Sequence, residues 1–232
     1  LAFCNKIWNA FRLTCGWETC DETQSDTNRI ATEWMEAQIK KNYTEIEDLY
    51  SKYRLSEALM TAFKLFTDEF SGWYLEMVKP AYQAPIDRKT LQATLQIFED
   101  LMKVIHPFMP FITEEIYQHI TERAEGESIM TSVLTLEAPN QADAALLASM
   151  EQAKQIISGV RAIRQSKNIA PREEMTLEVV ETEGAGQSEA HDEALCQIIK
   201  KMATLEAVHF VTQKSEGAQT FLIGTDEYAV PL

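Results

Sequence analysis

The sequence has few of the features on which active sites are commonly built. Only 8 of its 232 residues are glycine, and no glycine-rich loop of the phosphate-cradling kind is present. It contains no metal-ligand spacing and no Ser/His/Asp arrangement. Nothing near His106 supplies a nucleophile or a group to orient its ring, so we interpret it as a turn histidine rather than a base. We therefore predict no catalytic residue, no metal site and no cofactor in this chain.

Cysteine is scarce as well. The chain has Cys4, Cys15, Cys20 and Cys196, and no two of them form a C-x-x-C pair. A metal site built from Cys15 and Cys20 is the weaker alternative, because the sequence offers no matching second pair. We expect all four to be buried, reduced thiols of a cytoplasmic protein.

Positive charge is in the minority. Lysine and arginine number 21 against 36 acidic residues, which gives a formal net charge of -15. This balance argues against a protein that coats nucleic acid over its whole surface, because such a surface would be basic. A local cationic surface remains open, since charges in solution act over about 10 Å. No apolar run reaches the roughly 20 residues that cross a bilayer, so we expect no membrane partner.

The first half of the chain shows the periodicity of amphipathic helices, with apolar residues recurring at three or four positions. An aromatic-rich apolar stripe between residues 55 and 79 is interpreted as core rather than as a ligand box. Pro107 and Pro110 interrupt the pattern, because each removes an N–H and crowds the preceding turn. The predicted helices cover residues 1–16, 28–53 with Asn28 as N-cap, 55–79, 87–105 and a segment after Pro110, with a loop over 17–27.

After about residue 123 the pattern changes to a mixture of helix and strand. The predicted elements are a loop over 126–140, a helix over 142–166, a strand over 175–180, an acidic loop over 183–188, a helix over 191–202 and strands near 206–212 and 219–224. We therefore predict a mainly α protein, with a helical bundle over 1–137 and a small α+β domain over 138–232. The chain starts at Leu1 inside a helical pattern, so we expect a piece of a longer protein.

The first predicted helix carries amides and cations but no carboxylate on its polar side. Asn5, Asn9 and Arg12 lie at i, i+4 and i+7, with Lys6 beside them and Trp8 at the border of the apolar stripe. In an acidic chain such a face is unusual. It is either a solvated helix face or a surface that meets a ligand.

A second cationic feature lies near the end of the 142–166 helix. Residues 152–172 contain no acid and five cations, namely Lys154, Arg161, Arg164, Lys167 and Arg172. The helix dipole favours cations at a C-terminus, which accounts for one or two of them. A patch for phosphates or for an acidic partner accounts for the rest, and both explanations stay open.

Four motifs of this chain, in order, resemble the C-terminal region of class I valyl-tRNA synthetases. They are NKIWNAFRL at residues 5–13, DEFSGWYLE at 68–76, HPFMPFITEEI at 106–116, and VRAIR with NIAP within 160–171. The resemblance implies that the bundle is an anticodon-binding domain. It also implies a cytoplasmic parent enzyme that joins valine to tRNA with ATP and Mg²⁺, with its catalytic and editing domains upstream and a coiled-coil arm downstream.

The same resemblance implies a set of tRNA-binding residues. Asn5 and Asn9 would meet base edges, and Trp8 would stack on a base. The residues expected to contact phosphates are Lys6, Arg12, Arg161, Arg164 and Lys167. Two alternatives remain: the corresponding region of an isoleucine-type synthetase, which shares the proline motif, and a helical scaffold whose basic patch receives an acidic protein.

Overall fold

The computed structural model describes residues 2–181 and 188–232, and the chain divides into two compact units, Leu1–Ala144 and Ala145–Leu232. The chain is mainly helical, with a small mixed sheet in the second unit, which confirms the predicted fold class. The expected domain boundary after residue 137 stays a prediction. Most of the acidic loop expected at 183–188 lies outside the described residues.

The first unit is built from helices joined by short connections. Its elements are α1 (Ala2–Cys15), β1 (Thr19–Cys20), α2 (Asp26–Ser51), α3 (Leu55–Lys64), a π-helix (Leu65–Tyr74), α4 (Leu75–Val78), β2 (Ile86–Asp87), α5 (Arg88–Ile105) and α6 (Pro110–Ile120). β1 and β2 pair in parallel. A short 3₁₀ turn over Ile129–Thr131 follows α6. Helix packing alone therefore supplies nearly all of this unit's core.

The start of α2 differs from the sequence prediction. Ser25, and not Asn28, is its N-cap: the Ser25 hydroxyl accepts a hydrogen bond from the Asn28 backbone N–H at 3.1 Å. Asn28 lies inside the helix, where its side-chain amide donates to Asp87 at 3.3 Å. The expected loop over 17–27 also contains β1. Two residues are too short for an alternating pattern, so this strand exists only through its pairing with β2.

The predicted helix over 55–79 is helical throughout, but its middle is wound as a π-helix. The aromatic stripe is core, as predicted, with Phe66, Phe70 and Tyr74 fully buried. Their rings surround Phe98 of α5, whose ring centroid lies 5.8 Å from Phe66 and 5.3 Å from Phe70. Apolar spacing does not reveal the wider winding, because the buried aromatic residues recur every four positions, a spacing compatible with an α turn as well as with a π turn.

The proline motif ends α5 and starts α6. Pro110 occupies the first position of α6, where a missing N–H costs nothing. Nδ1 of His106 lies 2.7 Å from the Thr113 hydroxyl, which donates in turn to the Met109 carbonyl at 2.8 Å. The imidazole is thus tied across the turn, in agreement with its interpretation as a turn histidine.

The second unit places helices beside a four-stranded sheet. Its elements are α7 (Gln141–Ser166), β3 (Met175–Val180), α8 (Glu193–Ala203), β4 (Leu205–Val211), β5 (Gln219–Ile223) and β6 (Asp226–Val230). The strand order is β4-β3-β6-β5, with β3 parallel to β4 and antiparallel to β6. β6 escaped the sequence analysis because it opens with Asp226 and Glu227, residues that are depleted in strands.

The cysteine prediction was half wrong. All four thiols are free, but none is buried, and Cys15 is exposed at the last residue of α1. Among the described residues, no group of His, Cys, Asp and Glu side chains could hold a metal ion. Over the same residues, no helix has the length and apolar character needed to cross a bilayer.

Candidate nucleic-acid interface

Helix α1 is seated by its apolar stripe, and this seating turns its polar side outward. Ile7, Ala10 and Phe11 are buried, and the Phe11 ring centroid lies 5.7 Å from that of Phe98. At the other end, the Phe3 ring meets Phe63 edge-on at 4.7 Å. The helix packs on α5, α6 and the π-helix. This packing fixes which residues of α1 can meet a ligand.

The four residues predicted on the polar side of α1, and Trp8 at the border of its apolar stripe, are all exposed on one surface, which we call the α1 face: Asn5, Lys6, Trp8, Asn9 and Arg12. Over the described part of the chain, the four polar members make no side-chain hydrogen bond and no ion pair. The distance from Asn5 to Arg12 along the helix axis is about 10 Å, which is the length of about three stacked bases. The face is therefore of a size to meet a few nucleotides.

Most other cations of this unit are neutralised by carboxylates. The paired cations are found in Arg29–Glu33, Lys40–Asp143, Lys52–Asp48, Arg54–Glu57, Lys79–Glu76, Arg88–Asp21, Lys103–Glu99 and Arg123–Glu99. Lys6 and Arg12 belong to the minority without an ion pair to the described residues, together with Lys41, Lys64 and Lys89, and α1 itself contains no acid. Their charges are available to an anion from solution.

Trp8 combines support with exposure. Its ring lies 5.9 Å from that of Phe11 at a tilt of 45°, so one side rests on the protein. The residue is nevertheless 38% exposed. An indole held in this way can stack on an unpaired base, the usual way in which single-stranded RNA is bound.

Sequence analysis did not single out Phe111, an exposed aromatic residue at the start of α6. It is 89% exposed, while Thr113, Ile116 and Tyr117 of the same helix are buried. The helical spacing carried the signal: Phe111 falls on the side opposite to the buried residues. Since α1 packs against α6, Trp8 and Phe111 belong to the same compact unit, in which Tyr53 and Tyr82 are also exposed.

Arg164 does not belong to an exposed cationic surface, contrary to the sequence prediction. The residue is only 8% exposed, and its guanidinium donates four hydrogen bonds to backbone carbonyls. The acceptors are Ala170 and Glu173 at 2.7 Å, and Ala203 and Thr204 at 3.1 Å. Arg164 thus fastens the connection after α7 to the C-terminal end of α8, and it is not available to a phosphate.

Arg161 and Lys167 differ from each other. Arg161 is exposed, but its guanidinium donates to the Met202 carbonyl at 3.1 and 2.7 Å, so it too binds the end of α8. The Lys167 side chain is exposed and makes no hydrogen bond or ion pair to the residues that the structure describes. Of the three cations predicted here, Lys167 alone keeps its charged group in solvent without such a bond.

The chain matches one family model and several curated proteins. The family model described as the anticodon-binding domain of tRNA ligase matches residues 32–181. Valine--tRNA ligase of Phocaeicola vulgatus is 47% identical over 230 residues, covering 99% of this chain and 25% of that protein. The enzymes of the same name from Bacteroides thetaiotaomicron and Parabacteroides distasonis are 48% and 49% identical, over 99% of this chain and 26% and 25% of their own lengths.

The chain therefore spans about a quarter of the length of these curated relatives. The family model covers well over half of the chain, from within α2 to the end of β3. On this match, the chain belongs to the family of anticodon-binding domains of tRNA ligases.

Proposed function

We propose that this chain is the tRNA-binding part of a valine–tRNA ligase and that it grips the anticodon stem-loop of valine tRNA. The α1 face carries the proposal, because it joins unpaired cations, free amides and an exposed indole on one helix of an otherwise acidic chain. The names of the relatives supply the amino acid. The whole protein would act in the cytoplasm, and its catalytic domain, outside this chain, would hold ATP and Mg²⁺.

Each type of side chain on the α1 face suits one part of a single-stranded loop. Lys6 and Arg12 provide positive charge for phosphates, which position the RNA without reading its sequence. Asn5 and Asn9 have both a donor and an acceptor, so they can pair with base edges. Trp8 offers a surface on which a base stacks. Unstacked loop bases are the part of RNA that proteins read by sequence, which fits an anticodon.

The test is a titration of the chain with a labelled valine anticodon stem-loop at low salt. We expect weak binding that falls as salt rises, and Arg12→Ala should weaken it several-fold and lower the salt slope by about one. The matched control is Lys41→Ala, which removes an exposed α2 cation without a hydrogen bond or ion pair to the described residues. This control should bind like the unmodified chain.

Recognition of the anticodon sequence is tested in a separate experiment. A stem-loop of equal length with a scrambled anticodon should bind more weakly, since base contacts depend on sequence. Equal affinity for the two RNAs would contradict anticodon recognition. Competition between valine tRNA and isoleucine tRNA tests the isoleucine-type alternative, which predicts tighter binding of isoleucine tRNA. A complete lack of RNA binding at low salt would favour a scaffold for a protein partner.

A further inference from the structure

The connection between α7 and β3 carries two cations that the proposed anticodon contact does not use. Lys167 follows directly after α7, and Arg172 lies farther along, before β3. Both residues are exposed, and neither side chain makes a hydrogen bond or ion pair to another described residue. We call residues 167–172 the cationic connection.

The cationic connection is held in a fixed shape. Its backbone closes on α7 through Lys167 N–H to the Ile163 carbonyl at 3.0 Å and Ile169 N–H to the Arg164 carbonyl at 3.0 Å. Asn168 takes a left-handed conformation with φ of 54°, which asparagine tolerates better than most residues. The Arg164 guanidinium then binds the Ala170 carbonyl from inside. A preformed segment loses little entropy when it meets a ligand.

Within the described structure, no carboxylate forms an ion pair with Lys167 or Arg172. All four acceptors of Arg164 are neutral carbonyl groups, so its charge adds to those of Lys167 and Arg172. The cationic connection ends at Arg172, because the next two residues are the exposed acids Glu173 and Glu174. The dipole of α7 accounts for Lys167 but not for Arg172, because its effect ends within the last turn.

We propose that the cationic connection is a second RNA-contacting surface, in which Lys167 and Arg172 bind backbone phosphates of tRNA. The proposal rests on the proposed function for the choice of RNA. Arg164 contributes by holding the connection and not by touching RNA. Because phosphates carry no sequence information, this surface adds affinity and leaves the choice of tRNA to the α1 face.

The test uses the whole chain, full-length tRNA transcripts and the double variant Lys167→Ala, Arg172→Ala. We expect binding to weaken several-fold and equally for valine tRNA and for a transcript with a scrambled anticodon. The slope of log affinity against log salt should fall by about two, one for each lost phosphate contact. The thermal midpoint should stay unchanged, since both side chains are exposed and make no hydrogen bond or ion pair to the described residues.

The control is the double variant Lys41→Ala, Lys89→Ala, which removes two exposed cations that also make no hydrogen bond or ion pair to the described residues. This control should keep the salt slope of the unmodified chain.

Three results would overturn the proposal. An unchanged salt slope in the Lys167→Ala, Arg172→Ala variant would assign the connection to another partner, such as an acidic protein. A loss confined to valine tRNA would show sequence readout instead of phosphate contact. Equal losses in the test and control variants would show a general charge effect. Failure of the proposed function looks different, because the unmodified chain would then bind no tRNA at all.

Discussion

The same side chain has opposite roles at Arg12 and Arg164, and the difference lies in what surrounds the guanidinium. Arg12 stands on an exposed helix face whose helix contains no acid, so its donors point to solvent. Arg164 is enclosed by the connection after α7 and by the C-terminal end of α8. Carbonyl groups of both segments, such as those of Ala170 and Ala203, accept hydrogen bonds from its guanidinium. A planar fork with five donors can satisfy several such carbonyls at once, which a lysine cannot.

This difference predicts the effect of Arg164→Lys. The variant keeps the charge but leaves some of the four carbonyls unpaired, so the local free energy of opening should fall by about 2–4 kcal/mol. Native-state hydrogen exchange at the Ile169 and Glu173 amides, which close the connection after α7, would measure the loss. Arg172→Lys is the control and should exchange like the unmodified chain. Unchanged protection in Arg164→Lys would show that the four bonds do not hold the connection.

At the scale of elements, an ion-pair network joins α5 to the segment that follows α6. Glu99 of α5 accepts from Arg123 at 2.6 Å and pairs with Lys103 at 2.9 Å. The Arg123 guanidinium also covers the Tyr117 ring at 3.6 Å from its centroid. Since α1 packs on both α5 and α6, this network stabilises the two helices on which α1 rests.

The network predicts how stability depends on pH. Burial raises the pKa of Glu99, but hydrogen bonds from Arg123 and Lys103 outweigh it and hold the pKa below its ordinary value. A carboxyl group with a lowered folded pKa stabilises the fold above its ordinary pKa of about 4.3, and this contribution is lost as pH falls through the folded value. Glu99→Gln should therefore lower the thermal midpoint near neutral pH.

The difference between Glu99→Gln and the unmodified chain should shrink as pH falls from about 6 to about 3. Thermal melts across this range would measure it. Glu33→Gln, at an exposed pair with Arg29, is the control and should cost much less. A midpoint difference that stays constant with pH would mean that Glu99 acts through packing and not through its charge.

At the scale of the whole molecule, a net charge of -15 opposes both compactness and RNA binding. Like charges within the chain repel one another, and the same charge repels tRNA from every surface except the cationic ones. Repulsion by the acidic surface and attraction by the cationic surfaces would therefore both direct an approaching RNA to the cationic surfaces. This gives an acidic protein a way to bind RNA at a defined place.

Salt should therefore act in opposite directions on stability and on binding. Raising NaCl from about 20 mM to about 200 mM screens the repulsion within the chain, so the thermal midpoint should rise. The same change should weaken the complex with a valine anticodon stem-loop, because phosphate contacts are screened as well. Differential scanning fluorimetry and a binding titration in the same buffers would test both. A midpoint that falls with salt would show that attractive pairs dominate the acidic surface.

Much of the first unit was open to prediction from the sequence. The three- and four-residue spacing predicts α1, α2 and α5 of this unit, and α7 of the second unit, to within a few residues, because the buried side of an amphipathic helix is visible in its own sequence. The exposure of the α1 face follows from the same spacing. Pairing between distant segments leaves a weaker trace, so β1 and β6 were missed and the N-cap of α2 was misplaced.

What the sequence by itself determined is therefore local: the helical bundle, the acid-free polar side of α1, and the motifs that carry the family resemblance. The tertiary structure decided which of the cations near the end of α7 are exposed. Four carbonyl groups, on residues up to 40 positions away, turn Arg164 inward, while Lys167 and Arg172 keep their charges exposed. The reason is physical: a helix shows its own buried side in its sequence, whereas the hydrogen-bond acceptors of a long side chain come from whatever segment the fold brings beside it.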